Sequence, residues 1–159
     1  MTDLIRLEVS GIDGVLETLK SLPAEVVSKR GGPVKLALAK GARLLREAAK
    51  DNLARAIEQD GSDSTGTLLD SLVARRGKYD GKGELYYVGI KRKVKYRNAH
   101  NAETTAMRAG ALLEYGGKKQ AATPWLVPAA RANAQKIIDT VSADLVRRVN
   151  LIVKKQGAK

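Results

Sequence analysis

Two stretches of this sequence carry side chains that could do chemistry. In the first, Lys91, Arg92, Lys93, Lys95 and Arg97 place five cations within seven residues, with Tyr96 among them. Such a run can grip phosphates, and an interleaved tyrosine can stack a base. The same run can equally be a solvated strand edge whose charges discourage edge-to-edge pairing. No helix-turn-helix, zinc-finger or RNA-binding-sheet signature accompanies it, so the cluster points away from sequence-specific reading. In the second stretch, GALLEYGG, Glu114 follows Leu112 and Leu113 and precedes Tyr115 and Gly116. A carboxylate in so apolar a context, at the negative end of a helical pattern, needs a compensating partner. The candidates are the backbone N–H groups of residues 116–123, an arginine such as Arg108, or a basic residue of a neighbouring subunit.

Other chemistries lack their residues. The chain has no Cys, which removes disulfides and thiolate metal sites, and its single histidine removes a multi-histidine site. That residue, His100, lies in the polar stretch YRNAHNAE and reads as an exposed loop histidine. Glu47 and Asp51 lie four apart on a helical pattern flanked by Arg43, Lys50 and Arg55, which is a salt-bridged surface rather than an acid/base pair. The glycines and lysines of GALLEYGGKK follow a helix, whereas a phosphate loop precedes one, and the G-x-x-x-x-G-K-[ST] spacing is missing. No nucleophile, metal ligand or second carboxylate lies near Glu114 in sequence, so its role reads as structural. The expectation is a protein that is not an enzyme and takes no cofactor or metal.

The elements that would position these residues follow from pattern and composition. At 159 residues the chain is one domain's worth, and its 43% hydrophobic content must build an aliphatic core, with no Phe, one Trp and five Tyr. Net charge is +12, from 29 Lys and Arg against 17 Asp and Glu, which suits a polyanion or an acidic protein surface as partner. MTDLIRLEV lacks the basic and long apolar regions of a signal peptide, and no window has the apolar length of a membrane span.

Residues 3–10 alternate, with Ile5, Leu7 and Val9 on one side, as a half-buried strand does. Asp13 can cap a short helix that stops at Pro23. Pro33 opens a long helix over 33–59, with Val34, Leu38, Ala42, Leu45, Ala49, Leu53 and Ala56 on its apolar stripe. Residues 60–67 read as a mobile polar loop. Residues 72–78 and 84–91 read as a hairpin turning at Asp80-Gly81, with its second strand inside the sheet. Residues 91–103 read as a long mobile loop. Met107, Ala111, Leu112 and Tyr115 mark a short helix ended by Gly116 in the left-handed conformation. A second long helix starts at Pro124 or Pro128 and keeps its period through Ile152, before a fraying tail KKQGAK. The fold class is therefore α+β: a small, mainly antiparallel sheet packed against two long helices, in one domain over 1–159.

Taken together, the order of elements resembles the tail-completion, or head–tail joining, proteins of long-tailed bacteriophages. The resemblance runs from GIDGVLETLKSLP through TGTLLDSL and YYVGI, and its most specific part is GALLEYGG followed by PWLVPAA. In that family a hydrophobic-Glu-aromatic-Gly turn precedes a Pro-aromatic-hydrophobic-x-Pro-Ala helix start. Glu114, Tyr115, Gly116, Pro124, Trp125, Pro128 and Ala129 match it position by position, while the linker GGKKQAAT is longer and more basic than the family's. The resemblance implies a virion component assembled in the host cytoplasm. It would act as a homo-oligomeric ring, six-fold or twelve-fold, at the neck. Its implied partners are head-closure or connector proteins, the tail terminator and genomic DNA in the channel, with no membrane. Three other readings stand beside it: a tail terminator capping the tail tube, a nonspecific DNA-binding protein resting on 91–97, and a nuclease using Glu114. The last lacks clustered carboxylates for a metal.

Overall fold

A computed structural model of the chain describes residues 17, 20, 21, 32–60, 66–78, 84–98 and 101–157. The strand expected over 3–10, the turn at Asp80-Gly81, His100 and most of the polar loop at 60–67 lie outside them. Of the helix expected after Asp13, only Glu17, Lys20 and Ser21 are described, and they are helical.

Two long helices form the frame. Helix α1 spans Pro33–Asp60, with Pro33 in the first position, where its missing N–H has no intrahelical acceptor to lose. A single turn, α2, spans Thr67–Asp70. Strands β1 (Leu72–Arg76) and β2 (Tyr86–Ile90) pair antiparallel, from Leu72 opposite Ile90 to Arg76 opposite Tyr86. Strands β3 (Lys95–Arg97) and β4 (Glu103–Thr105) form a second antiparallel pair. Helix α3 spans Ala106–Tyr115, and helix α4 spans Leu126–Gly157. The class is α+β as expected, but the strands fall into two two-stranded sheets, and among the described residues β2 pairs only with β1.

Three sequence readings need correction. The loop expected over 91–103 contains a hairpin, because β3 and β4 pair with Tyr96 opposite Thr104, and Asn98 and Asn101 tighten the connection. Its alternation was masked by cations on one side and threonines on the other. Helix α4 does not begin at Pro124 or Pro128 but at Leu126, so Pro128 sits in its first turn. The same helix continues through Gly157, well into KKQGAK.

Helices α1 and α4 run antiparallel: Lys40 meets Asp144, whereas Asn52, further along α1, donates to the Trp125 carbonyl at the start of α4 (3.2 Å). The centre of their contact is made of small residues. Ala37, Gly41 and Ala42 are buried, while Val34 and Leu38 of the expected stripe lie at its flank. A Cβ on Gly41 would stand 2.5 Å from Val141 Cγ2, so glycine sets how closely the helices approach. Ile137, Val141, Leu145 and Val149 supply the opposing ridge. Asp144, with its side chain fully buried, accepts from Arg148, from Arg147 at 3.0 Å and from Lys40 at 3.2 Å. These cations, Arg148 first, hold its carboxyl at a pKa of about 2.

A second core gathers at the other end of the helix pair. Leu53, Ala56 and Ile57 of α1 meet Leu68, Leu72, Ala106, Leu113, Trp125 and Ala129 there. This core carries both hairpins and the α3–α4 turn.

Candidate functional site: a capped turn beside a basic-rimmed groove

Helix α3 is short and firmly ended. The Thr105 hydroxyl caps its start by accepting from the Arg108 N–H at 3.2 Å. Gly116 closes it, donating its N–H to the Leu112 carbonyl at 2.8 Å. Gly116 has φ 73° but ψ −174°, so it is extended with positive φ and not left-handed helical as the sequence suggested. That region is essentially reserved for glycine. A Cβ there would also meet main-chain atoms, Ala122 N at 2.9 Å and Gln120 O at 3.0 Å. The following turn doubles back, and the Thr123 N–H bonds the Leu113 carbonyl at 2.7 Å.

This reversal brings Glu114 to the beginning of α4. One carboxylate oxygen accepts from the N–H groups of Trp125 and Leu126, each at 2.7 Å, and the other from Val127 at 3.0 Å. The next residue, Pro128, has no N–H. The main-chain donors that a helix leaves free at its start are thus all accounted for by one side chain and one proline. Glu114 sits at the negative end of its own helix but at the positive end of α4, which resolves the electrostatic difficulty its position posed. Its partners are backbone N–H groups, as one of the sequence-based options had it. They fall on residues 125–127, just beyond the segment named, and Arg108 takes no part. The Trp125 indole, 3% exposed, locks the arrangement by donating to the Gly110 carbonyl at 3.0 Å. Pro124 leads into this corner, and Ala129 is buried against the core behind it.

Tyr115, the remaining member of the turn motif, is 61% exposed. It stands at the mouth of an open groove of about 970 Å³. Met107, Ala111 and Tyr115 of α3 form one wall, so the apolar stripe that marked this helix in the sequence is not the face it buries. The buried face is Ala106, Gly110, Leu113 and Glu114. Val73, Tyr87 and Gly89 of the first hairpin form the opposite wall, and Trp125 and Leu126 close one side. Lys91, Arg92 and Lys93 lie along the turn after β2, and Arg75 joins them from β1.

The basic cluster is therefore divided. Lys91, Arg92 and Lys93 reach the groove, next to the Glu114 turn. Lys95 instead pairs across the second hairpin with Glu103 at 2.9 Å, and Arg97 donates to the Asn101 carbonyl at 2.9 Å. Tyr96 is half-buried against the core, and burial raises the pKa of its phenol. It is not an open stacking platform. Among the described residues, Arg75, Lys91, Arg92 and Lys93 enter no ion pair. Sequence reading missed Arg75 and Tyr87. The hairpin register, which sets them opposite one another, was the signal that could have found them. Elsewhere, Glu47 pairs with Arg46, consistent with a salt-bridged surface. Among the described residues no group of His, Asp and Glu could hold a metal, and no helix is long and apolar enough to cross a membrane.

A model of the phage family described as "Bacteriophage HK97-gp10, putative tail-component" matches residues 15–116, well over half of the chain and ending on Gly116 of the capped turn. No curated protein and no solved structure matches significantly.

Proposed function

The chain belongs to the HK97-gp10-like family of bacteriophage tail components, and from that premise we propose that it is a structural subunit that joins the tail to the DNA-filled head. It acts without catalysis, as one copy in a homo-oligomeric ring of six or twelve at the neck, between head-closure or connector proteins and the tail terminator. Family membership is the observation that carries this reading. The capped turn supports it, because a junction subunit must hold its surfaces at a set angle under load. Glu114 and Pro128 fix how α4 leaves the turn without any mobile side-chain partner. The cations beside that turn suit a partner of opposite charge.

The test is a phage in which the reading frame for this chain is interrupted. Electron microscopy should show DNA-filled heads and tails of normal length lying apart, and adding the purified chain should restore joined particles. Tails of uncontrolled length would identify a tail terminator instead. Intact, infectious particles would overturn both readings.

A further inference from the structure

The groove has a composition that neither the core nor an ordinary charged surface has. Three of the six large hydrophobic side chains exposed among the described residues, Tyr87, Met107 and Tyr115, line it. Exposed apolar side chains gathered in one concavity mark an interaction surface. Four cations, Arg75, Lys91, Arg92 and Lys93, rim it, and none has an ion-pair partner among the described residues. Glu114, the acidic residue in the lining, is turned to three main-chain N–H groups and is outnumbered by the four cations, so the net charge of the groove is positive. We propose that this groove docks an acidic segment of a neighbouring protein, anchored by apolar side chains in the trench and by carboxylates on the rim. The source of that segment, another structural protein of the particle, rests on the assembly reading above; the chemistry of the occupant does not.

Two other occupants fit less well. A duplex presents phosphates over a broad surface and has nothing to put into an apolar trench; a single strand could stack on Tyr87 and Tyr115, but it has no apolar side chain to set against Val73, Met107 and Ala111. A second copy of this chain carries the same +12 charge and would bring cations to a cationic rim.

Gly89 makes the idea testable. It lines the groove in the same strand register as Val73, yet a Cβ placed on it meets nothing within 4 Å. A larger side chain there fills the trench without disturbing the fold. Ala111, exposed on the α3 wall, offers an independent plug.

A random dodecapeptide display library is selected on the full chain, and an enriched peptide is labelled and titrated by fluorescence anisotropy. Enriched peptides should combine Asp or Glu with large apolar residues. Binding should weaken about tenfold in Gly89→Leu and in Ala111→Glu. It should also weaken about tenfold when Lys91, Arg92 and Lys93 are changed to Ser, with a flatter salt dependence. Melting temperatures of the variants are measured alongside, and whichever plug leaves melting unchanged decides the result. Peptides with no acidic bias, or acidic peptides whose affinity survives both plugs, overturn the proposal. An oligothymidylate that displaces the peptide and is itself lost in Gly89→Leu overturns it in favour of nucleic acid. Failure here leaves head–tail joining by the unmodified chain untouched, and failure of joining leaves peptide binding untouched, so the two readings fall separately.

Discussion

Glu114 and Asp144 are both buried carboxylates, 6% and 2% exposed, and their charges are met in opposite ways. Glu114 accepts from three consecutive main-chain N–H groups at the positive end of α4. Its donors have no rotamers, so the bond set dictates where one helix ends and the next begins. Asp144 meets three side-chain cations, two of them, Lys40 and Arg147, more than half exposed. Those donors can swing into water when the carboxylate is lost. The first region specifies a corner, and the second secures the register of two helices that already pack. A buried carboxylate served by backbone is therefore costlier to remove than one served by exposed cations, although both look equally buried.

The largest expected effect lies at the corner. Gly116→Val combines a positive φ with a clash against main-chain atoms that cannot rotate away. It should cost more than about 3 kcal/mol and lower the thermal midpoint sharply. Normal melting would show that the corner can be rebuilt and would dissolve the contrast.

Next comes Glu114 itself. Glu114→Ala leaves three main-chain donors unmet, that of Trp125 buried and those of Leu126 and Val127 partly so, and should cost about 2–4 kcal/mol in denaturant unfolding. Glu114→Gln can keep the two bonds made by one oxygen, but it turns an amide N–H toward Val127, so about 1–2 kcal/mol is expected. Equal costs for the two variants would mean that shape, and not hydrogen bonding, holds the corner.

Asp144 should matter less, and in a manner set by pH. Its folded pKa of about 2 lies below the ordinary 3.8, so the stability it adds is fully present above pH 4 and is lost as pH falls through 2. The difference between the parent and Asp144→Asn should be roughly 1–2 kcal/mol near neutrality and shrink toward zero across that window. A difference independent of pH would remove charge from the account of this contact.

The smallest effect on stability belongs to the rim. Changing Lys91, Arg92 and Lys93 to Ser should shift unfolding by no more than about 0.5 kcal/mol, because surface cations with no ion-pair partner among the described residues contribute little. Head–tail joining in the presence of this variant should nevertheless fall. Full joining at both low and high salt would mean that the rim serves solubility alone.

Much of this was legible in the residues. The 3.6-residue period and the prolines place two long helices to within a few residues. The first hairpin follows from alternation either side of a glycine-rich turn. The need for a glycine at 116, and for a partner to Glu114, follows from helix-end chemistry within a single segment. All of these rest on interactions between residues close in sequence, where pattern carries the geometry.

What the tertiary structure decided lies across longer separations. Glu114 could have served several groups. Only the reversal of the chain after Gly116 aimed it at the start of α4. The run 91–97 reads as one patch, but the fold divides it, because the turn after β2 carries Lys91, Arg92 and Lys93 to the groove while β3 carries Lys95 and Arg97 into the second hairpin, where Glu103 and Asn101 claim them. The stripe of Met107, Ala111 and Tyr115 looks like a core face, yet the core lies on the other side of α3, where Gly110 admits Ile90 and Trp125. Periodicity reports that a helix has an apolar face; it does not report what stands opposite. That depends on which distant surfaces meet, and here they left one apolar face open beside four cations.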